Sequence, residues 1–423
     1  MTRFQHLRKS LKSIWHTLGP GLITGASDDD PSAITTFSQA GARYGLATLW
    51  MAVLAFPFLA VIQEMCARIG IVTGKRLTGV IKAYYPTWVL YLLIVLSCPA
   101  FLLNIGADIA ILGEAGNLLF PSVPALYCSI GFTVVLFILI MALPYNKLST
   151  VMKLICLSLL LYIIVPFLSP QKLSSIFRNT VIPTFHFNRD FLLMVTGLTG
   201  AIISPYLFFW QTSSEVENAA RAASRTKRNK RHIFIMMRKD ILSGAFFAVL
   251  IMYFILLTTG TILHDHNMLR IGTLKDAALA LKPLAGNLSY ILFSIGIIGT
   301  GFLIIPVLSS SISYILTEAV NRKSGLSLLP GEAKLFYVII AIAMLLGIAM
   351  YWLHIPAVKA LLFTTLLYGI TAPFLIGIIM HISNNKKIMG QFCNNRLSNI
   401  VGSTALLLMF GTLLVLGFYT FIK

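Results

Sequence analysis

The chain has 423 residues, of which 57% are hydrophobic and only 11% charged, and it carries a formal net charge of +19. Such a mixture lies outside the range of soluble domains and points to a membrane protein. The apolar runs lack strand-like alternation, so an all-α polytopic bundle is expected rather than a barrel.

In chain order, spans are predicted at Ile14 to Gly41 (interrupted), Leu46 to Val72, Val89 to Leu112, Leu126 to Leu143 and Val151 to Leu168. A second group covers Phe191 to Ala219 (interrupted), Ile241 to Leu263, Leu288 to Ile315, Leu335 to Trp352, Ala357 to Ile382 and Val401 to Ile422. Each is long enough for a hydrocarbon core of roughly 30 Å, which makes about eleven helices. The basic, then apolar N-terminus imitates a secretory signal ending near Ala26. Gly19, Pro20 and Gly21 within its core, and more spans behind it, argue against that reading.

The positive charge is a topology signal. With the N-terminus in the cytoplasm, roughly 22 of the 33 Lys and Arg fall on cytoplasmic segments, as the positive-inside rule asks. The odd span count then leaves the C-terminus outside. The densest basic block, Arg221 to Lys239, is suited to anionic headgroups of the bilayer, and no nucleic-acid motif accompanies it. Cys66, Cys98, Cys128, Cys156 and Cys393 are scattered and read as packing residues. The "GIVTGKR" run from Gly70 is one residue short of a phosphate loop, and no nucleophile elbow, zinc-protease helix or dinucleotide fingerprint occurs. An enzyme is therefore not expected.

The informative places are where spans break. "SDDDPSA", Ser27 to Ala33, puts three carboxylates and a proline inside the first span. An Asp at the centre of a membrane helix costs about 2.5–3.5 kcal/mol, and an interior proline removes a backbone hydrogen bond. The segment is expected to unwind where water or protein receives the freed groups. The sixth span, "GLTGAIISPYLFFWQTSSE", breaks in the same way at Gly197, Gly200 and Pro205.

Each break opens a run of about five spans, the sequence pointer to a carrier built from inverted repeats. The expected arrangement is one transporter domain over residues 1–423, with repeats at 14–168 and 190–382 and an extra helix at 399–422. At the breaks Asp30 offers a carboxylate oxygen, the peptide near Ala201 a freed carbonyl, and Ser204 a hydroxyl. An all-oxygen set suits magnesium, calcium or manganese. Asp28 and Asp29 either line the entry path or cap the second half-helix, and a bare proline kink with an Asp cap is the structural alternative for the whole segment.

"GPGLITGASDDDPSAITTFSQAGARYGLATLW" (Gly19 to Trp50), "QEMCARIGIVTGKRL" (Gln63 to Leu77) and "GAIISPYLFFWQ" resemble the Nramp family of divalent metal transporters. The resemblance implies the broken-helix fold of amino-acid and sodium-coupled transporters. The family's Asp-Pro-Gly-Asn motif stands here as Asp30, Pro31, Ser32, Ala33, so the asparagine ligand is replaced by Ala33. Its Ala-x-x-Met-Pro-His motif becomes Ala201, Ile202, Ile203, Ser204, Pro205, Tyr206, so the thioether is a hydroxyl. The family's histidines correspond to Tyr206 and Gln211, its third-helix carboxylates to Asp108 and Ile111, and its tenth-helix glutamine to Thr365, with Thr371 further along.

A harder ligand set implies a partly hydrated cation, magnesium first and manganese second, as in the magnesium-transporting branch of the family. Asp108 and Glu64 keep proton coupling open, and either could instead be a buried structural carboxylate satisfied by Arg68 or a backbone donor. The alternatives are a proton-coupled manganese or iron importer, or a membrane metal sensor. The expected surroundings are a bacterial inner membrane, with the metal ion and the bilayer as partners, no cofactor and no obligate protein partner. His264 and His266 are expected in a solvated external loop, Ser309 to Ser313 in helix packing, and Glu215 and Glu217 opposite the basic block.

Overall fold

The computed structural model describes residues 24–25, 27–142, 161–168, 173–186, 188–223, 230–282, 286, 289–353 and 355–421. Residues 14–23 of the first expected span, most of the fifth, Ala26, Cys156 and residues 224–229 of the basic block lie outside them.

The principal helices are α1 (Pro31–Tyr44), α2 (Leu49–Thr73), α3 (Thr87–Leu119), α4 (Ala125–Ala142), α5 (Arg189–Ile202) and α6 (Pro205–Ala223). They continue with α7 (Lys230–Ile262), α8 (Ser289–Ala319), α9 (Lys334–Ala349), α10 (Ala357–Asn384) and α11 (Arg396–Phe421). Among the described residues 9 helical stretches are long and apolar enough to cross a membrane. Some spans are longer than the hydrophobic runs predicted. α3 continues to Leu119 and α7 begins at Lys230, because a helix does not stop where its greasy stretch does.

Both breaks obey one local rule. Asp30 is extended (φ −73°, ψ 170°) and Pro31 opens α1; Ile203 leaves helical geometry (φ −104°, ψ 59°) and Pro205 opens α6. Proline lacks the N–H that a first helical turn would leave unpaired, so each serves as a helix start rather than as an interior kink. At its far end α1 turns at Gly45, whose φ of +57° suits glycine, and a 3₁₀ turn leads directly into α2.

α1 packs on α7, α10 and α5, while α3 is the central post against which α8, α10, α4 and α9 lie. α5 and α10 touch backbone to backbone. A side chain at Gly200 would strike the Thr365 carbonyl and Gly369, and one at Gly369 would strike the Thr196 carbonyl. Small residues at helix crossings permit this approach in membranes. It brings the sixth-span break beside α10. The outer faces carry exposed apolar residues such as Val95, Leu345, Leu407 and Leu414, as a surface facing hydrocarbon must.

Two shorter helices, Leu77–Tyr84 and Leu173–Val181, were not foreseen from hydropathy. One sequence expectation needs correction, and two glutamates have further partners. His264 is not simply solvated: it is half-buried and its Nδ1 lies 2.9 Å from the Ala42 carbonyl, whereas His266 is exposed as expected, its Nδ1 2.7 Å from the Ile262 carbonyl. Glu217 is buried against Arg76 and Tyr314. Glu215 is also buried and accepts from Gln211 Nε2 at 3.1 Å.

Candidate metal centre

Asp30 is fixed by α1 itself. Its Oδ1 accepts the Ala33 N–H at 2.6 Å, the bond that a capping carboxylate makes to a first helical turn, and also the Ser32 hydroxyl. Its Oδ2 accepts from Asn104 Nδ2 of α3 at 3.1 Å. The same amide donates to Asp108 Oδ2 at 3.2 Å, and Asn104 Oδ1 accepts from Thr364 of α10 at 2.9 Å. One amide thus joins the first break to α3 and α10. Both carboxylates are at most 2% exposed.

The neighbouring carboxylates are less committed. Asp28, 3% exposed, faces the Ser204 hydroxyl across the two breaks, and Asp29 lies beside Asp30 at 1% exposure. Asp28 Oδ1, Asp29 Oδ2 and Asp108 Oδ1 are buried oxygens with no hydrogen-bond donor among the described residues. Such atoms are costly to leave unpaired, and a cation is the partner that best satisfies several at once. Ser204 donates to the Ala201 carbonyl at 2.9 Å, so that carbonyl keeps one lone pair for another partner. No cluster of three or more His, Cys, Asp or Glu side chains suited to a metal occurs among the described residues. A cation placed here would therefore complete its shell with carbonyls, hydroxyls and water, as hard divalent ions do.

Aromatic rings wall the site. Tyr206, Phe101 and Tyr368 are fully buried, with ring centroids 5.7–6.1 Å apart. Tyr206 also donates to the Ser27 carbonyl at 2.9 Å, joining the two breaks directly. Their surroundings exclude water and strengthen any charge interaction inside.

Access differs on the two sides. A cavity of about 320 Å³ lies between α1, α5 and α10, with Arg43, Asp190 and Lys359 among its lining and Thr36, Gly197 and Thr365 deeper toward the break. The Thr36 and Thr365 hydroxyls are 3.1 Å apart, and Thr36 also donates to the Ser32 carbonyl. On the other side Thr24 donates to Gln211 Oε1, and Gln211 donates onward to Glu215. Past this seal, Arg76 gathers Glu318 at 3.1 Å, Glu217 at 3.4 Å and the Ser324 carbonyl at 2.9 Å, with its guanidinium 4.7 Å from the Tyr314 ring centre. Burial opposes that charge, but Tyr314, Glu318 and Glu217 more than offset it, so the Arg76 pKa lies above its ordinary value.

Of the residues singled out from sequence, the structure gathers Asp28, Asp29, Asp30, Ala33, Asp108, Ala201, Ser204 and Tyr206 at the breaks. Thr365 sits on the cavity side and Gln211 in the seal. Glu64 lies elsewhere: it pairs with Arg68 at 3.1 Å and Arg238 at 3.4 Å, while Arg68 also binds the Phe392 and Cys393 carbonyls. Thr371 bonds within its own helix, to the Tyr368 carbonyl. Sequence reasoning missed Asn104, Thr364 and Tyr368. Asn104 had a readable signal: a polar residue in an apolar helix, four before Asp108 and hence on the same face.

Residues 21–419 match the model of the family described as natural resistance-associated macrophage protein-like, Nramp. The chain is 24% identical to the divalent metal cation transporter MntH of Yersinia enterocolitica over 93% of its own length and 92% of that protein's. It is 25% identical to the MntH of Chromohalobacter salexigens, over 95% and 91%. The fold superimposes on the Eremococcus coleocola manganese transporter with a TM-score of 0.76 at 17% identity, covering 96% of this chain and 87% of that one. It also superimposes on Mhp1, a nucleobase-cation-symport-1 family transporter in a closed conformation, with a TM-score of 0.51 at 11% identity, covering 95% and 92%. With a family match spanning nearly its whole length and a broken-helix fold to go with it, this chain is a member of the Nramp family.

Proposed function

We propose that this protein is a secondary carrier of divalent metal cations that works by alternating access, with magnesium preferred and manganese also carried. The observation that supports the reading best is the group of buried carboxylate oxygens of Asp28, Asp29 and Asp108, without partners among the described residues, where the two breaks meet. The MntH names of the sequence relatives support the cargo class. Preference for a hard ion rests on the donors: Ser204 and Ala33 offer neither thioether nor amide, and all the donors named at the breaks are oxygens.

In this reading a cation enters through the cavity beside Thr36 and Thr365, sheds part of its water, and binds Asp28 and Asp30 with the Ala201 carbonyl and Ser204 hydroxyl. Release follows when the Tyr206–Ser27 and Thr24–Gln211 bonds part. Repeats at 14–168 and 190–382 supply the opposing units, with 399–422 outside them. With the N-terminus in the cytoplasm of a bacterial inner membrane, the cavity faces outward. The second reading is a proton-coupled manganese carrier, favoured by the buried Asp108 oxygen that no donor among the described residues satisfies.

The test is uptake by purified protein in liposomes loaded separately with magnesium-, manganese- and proton-sensitive dyes. Magnesium uptake without acidification supports the first reading, and manganese uptake with proton entry but no magnesium supports the second. Uptake of neither metal sinks both.

A further inference from the structure

A second cavity, of about 260 Å³, opens between α2, α5 and α11, beneath the segment that leads into α5. Its walls include Trp50 and Ala55 of α2, Ile202 and Ile203 at the sixth-span break, and Ala405 and Met409 of α11. The lining is hydrocarbon apart from two threonines and the indole N–H. Thr199 donates to the Thr196 carbonyl and Thr412 to the Met409 carbonyl, so neither hydroxyl seeks a ligand. Water has nothing to bind in most of this space.

The cavity is continuous with the surface that meets lipid. Leu408 lines it and is 46% exposed, and Val53 and Leu407 beside it are more exposed still. Hydrocarbon tails are therefore the medium at its mouth. Trp50 stands near the start of α2, in a group of aromatic residues with Tyr44, Phe185, His186 and Phe191, of the kind found where acyl chains give way to headgroups. Although Trp50 is only 8% exposed, its indole N–H has no acceptor among the described residues. An apolar slot with one unsatisfied donor at headgroup level matches a single class of molecule in a bilayer.

We propose that this cleft holds one acyl chain of a glycerophospholipid, whose ester carbonyl accepts the Trp50 N–H. Because Ile202 and Ile203 form part of the wall, the lipid lies against the hinge of α5 and its occupancy bears on the movement of that half-helix.

The test uses full-length protein in phosphatidylcholine vesicles doped with phosphatidylcholine brominated near the ester end of its acyl chain, a short-range quencher. The Trp50 signal is the emission lost in Trp50→Phe. Dilute bromolipid is expected to quench that signal strongly, and either filling variant, Ala55→Leu or Ala405→Leu, to lose most of the quenching. Metal uptake reports that each variant is folded. Equal quenching in wild type and whichever filling variant transports would overturn the proposal, as would a Trp50 signal insensitive to bromolipid. Efficient Leu408→Cys disulfide dimers in the same vesicles would overturn it too, since a second copy would then cover the cleft.

Discussion

Asp28, Asp29, Asp30 and Asp108 at the breaks are at most 3% exposed, and Glu64, Glu217 and Glu318 near one end of the bundle are also largely enclosed, their side chains at most 15% exposed, yet the two groups keep opposite company. The glutamates each face an arginine. Glu217 additionally accepts from the Tyr314 hydroxyl at 2.6 Å and the Leu326 N–H at 3.1 Å, and Glu318 from the Gly79 N–H at 2.7 Å. None of the described ion pairs includes an aspartate of the breaks, whose contacts are neutral donors or nothing. A buried carboxylate needs a countercharge. Where the chain supplies one the group is structural; where the chain withholds it the carboxyl either holds a proton or, in the function proposed above, meets a cation from solution.

The largest expected effect breaks the central group. Asp30→Ala should reduce liposome metal uptake to background while the protein still inserts, the lost helix cap costing only about 1 kcal/mol. Near-normal flux would transfer the anchoring role to Asp28, which faces Ser204. The second breaks the other group: Arg76→Met removes the arginine shared by Glu217 and Glu318 and should destabilise the protein by up to about 3–5 kcal/mol. Thermal unfolding in detergent measures it, and an unchanged midpoint would show that the hub is not structural.

A smaller change sharpens the chemistry. Ser204→Met with Ala33→Asn should shift binding toward cadmium or manganese relative to magnesium by about 1–3 kcal/mol, read by calorimetric titration. If cadmium affinity stays flat, Ser204 does not face the ion. Smallest of all, Asp190→Ala removes the Arg43–Asp190 pair, whose side chains are 32% and 58% exposed. It should cost under about 1 kcal/mol and matter less as salt rises. A large effect on melting would mean that this pair belongs with the arginine hub.

The central group was legible in the sequence because membrane energetics make it conspicuous. Three carboxylates before a proline have nowhere to go in a continuous apolar helix, and the matching Ser204–Pro205 step lies in the corresponding span. The arginine hub was not legible, since Arg76, Glu217 and Glu318 are separated by 141 and 242 positions from the arginine and any surface loop can carry such residues. Asn104 falls between: its own position hinted at function, but its partners Asp30 and Thr364 could be found only once α1, α3 and α10 had been brought together. His264 was misread because local polarity says nothing of the Ala42 carbonyl, which comes from 222 residues away.

The glycine contact between α5 and α10 bears on how this chain can change over time. With no side chains interposed, Gly200 and Gly369 leave no room for even a methyl group, since the nearest atoms are backbone that cannot step aside. The exposed apolar positions of α11 meet no such constraint, whereas a side chain at either glycine forces α5 and α10 apart, so mutational drift in the sixth and tenth spans is expected to route around this pair. A library of random variants selected for metal uptake should therefore show two silent columns at these glycines amid a permissive exterior.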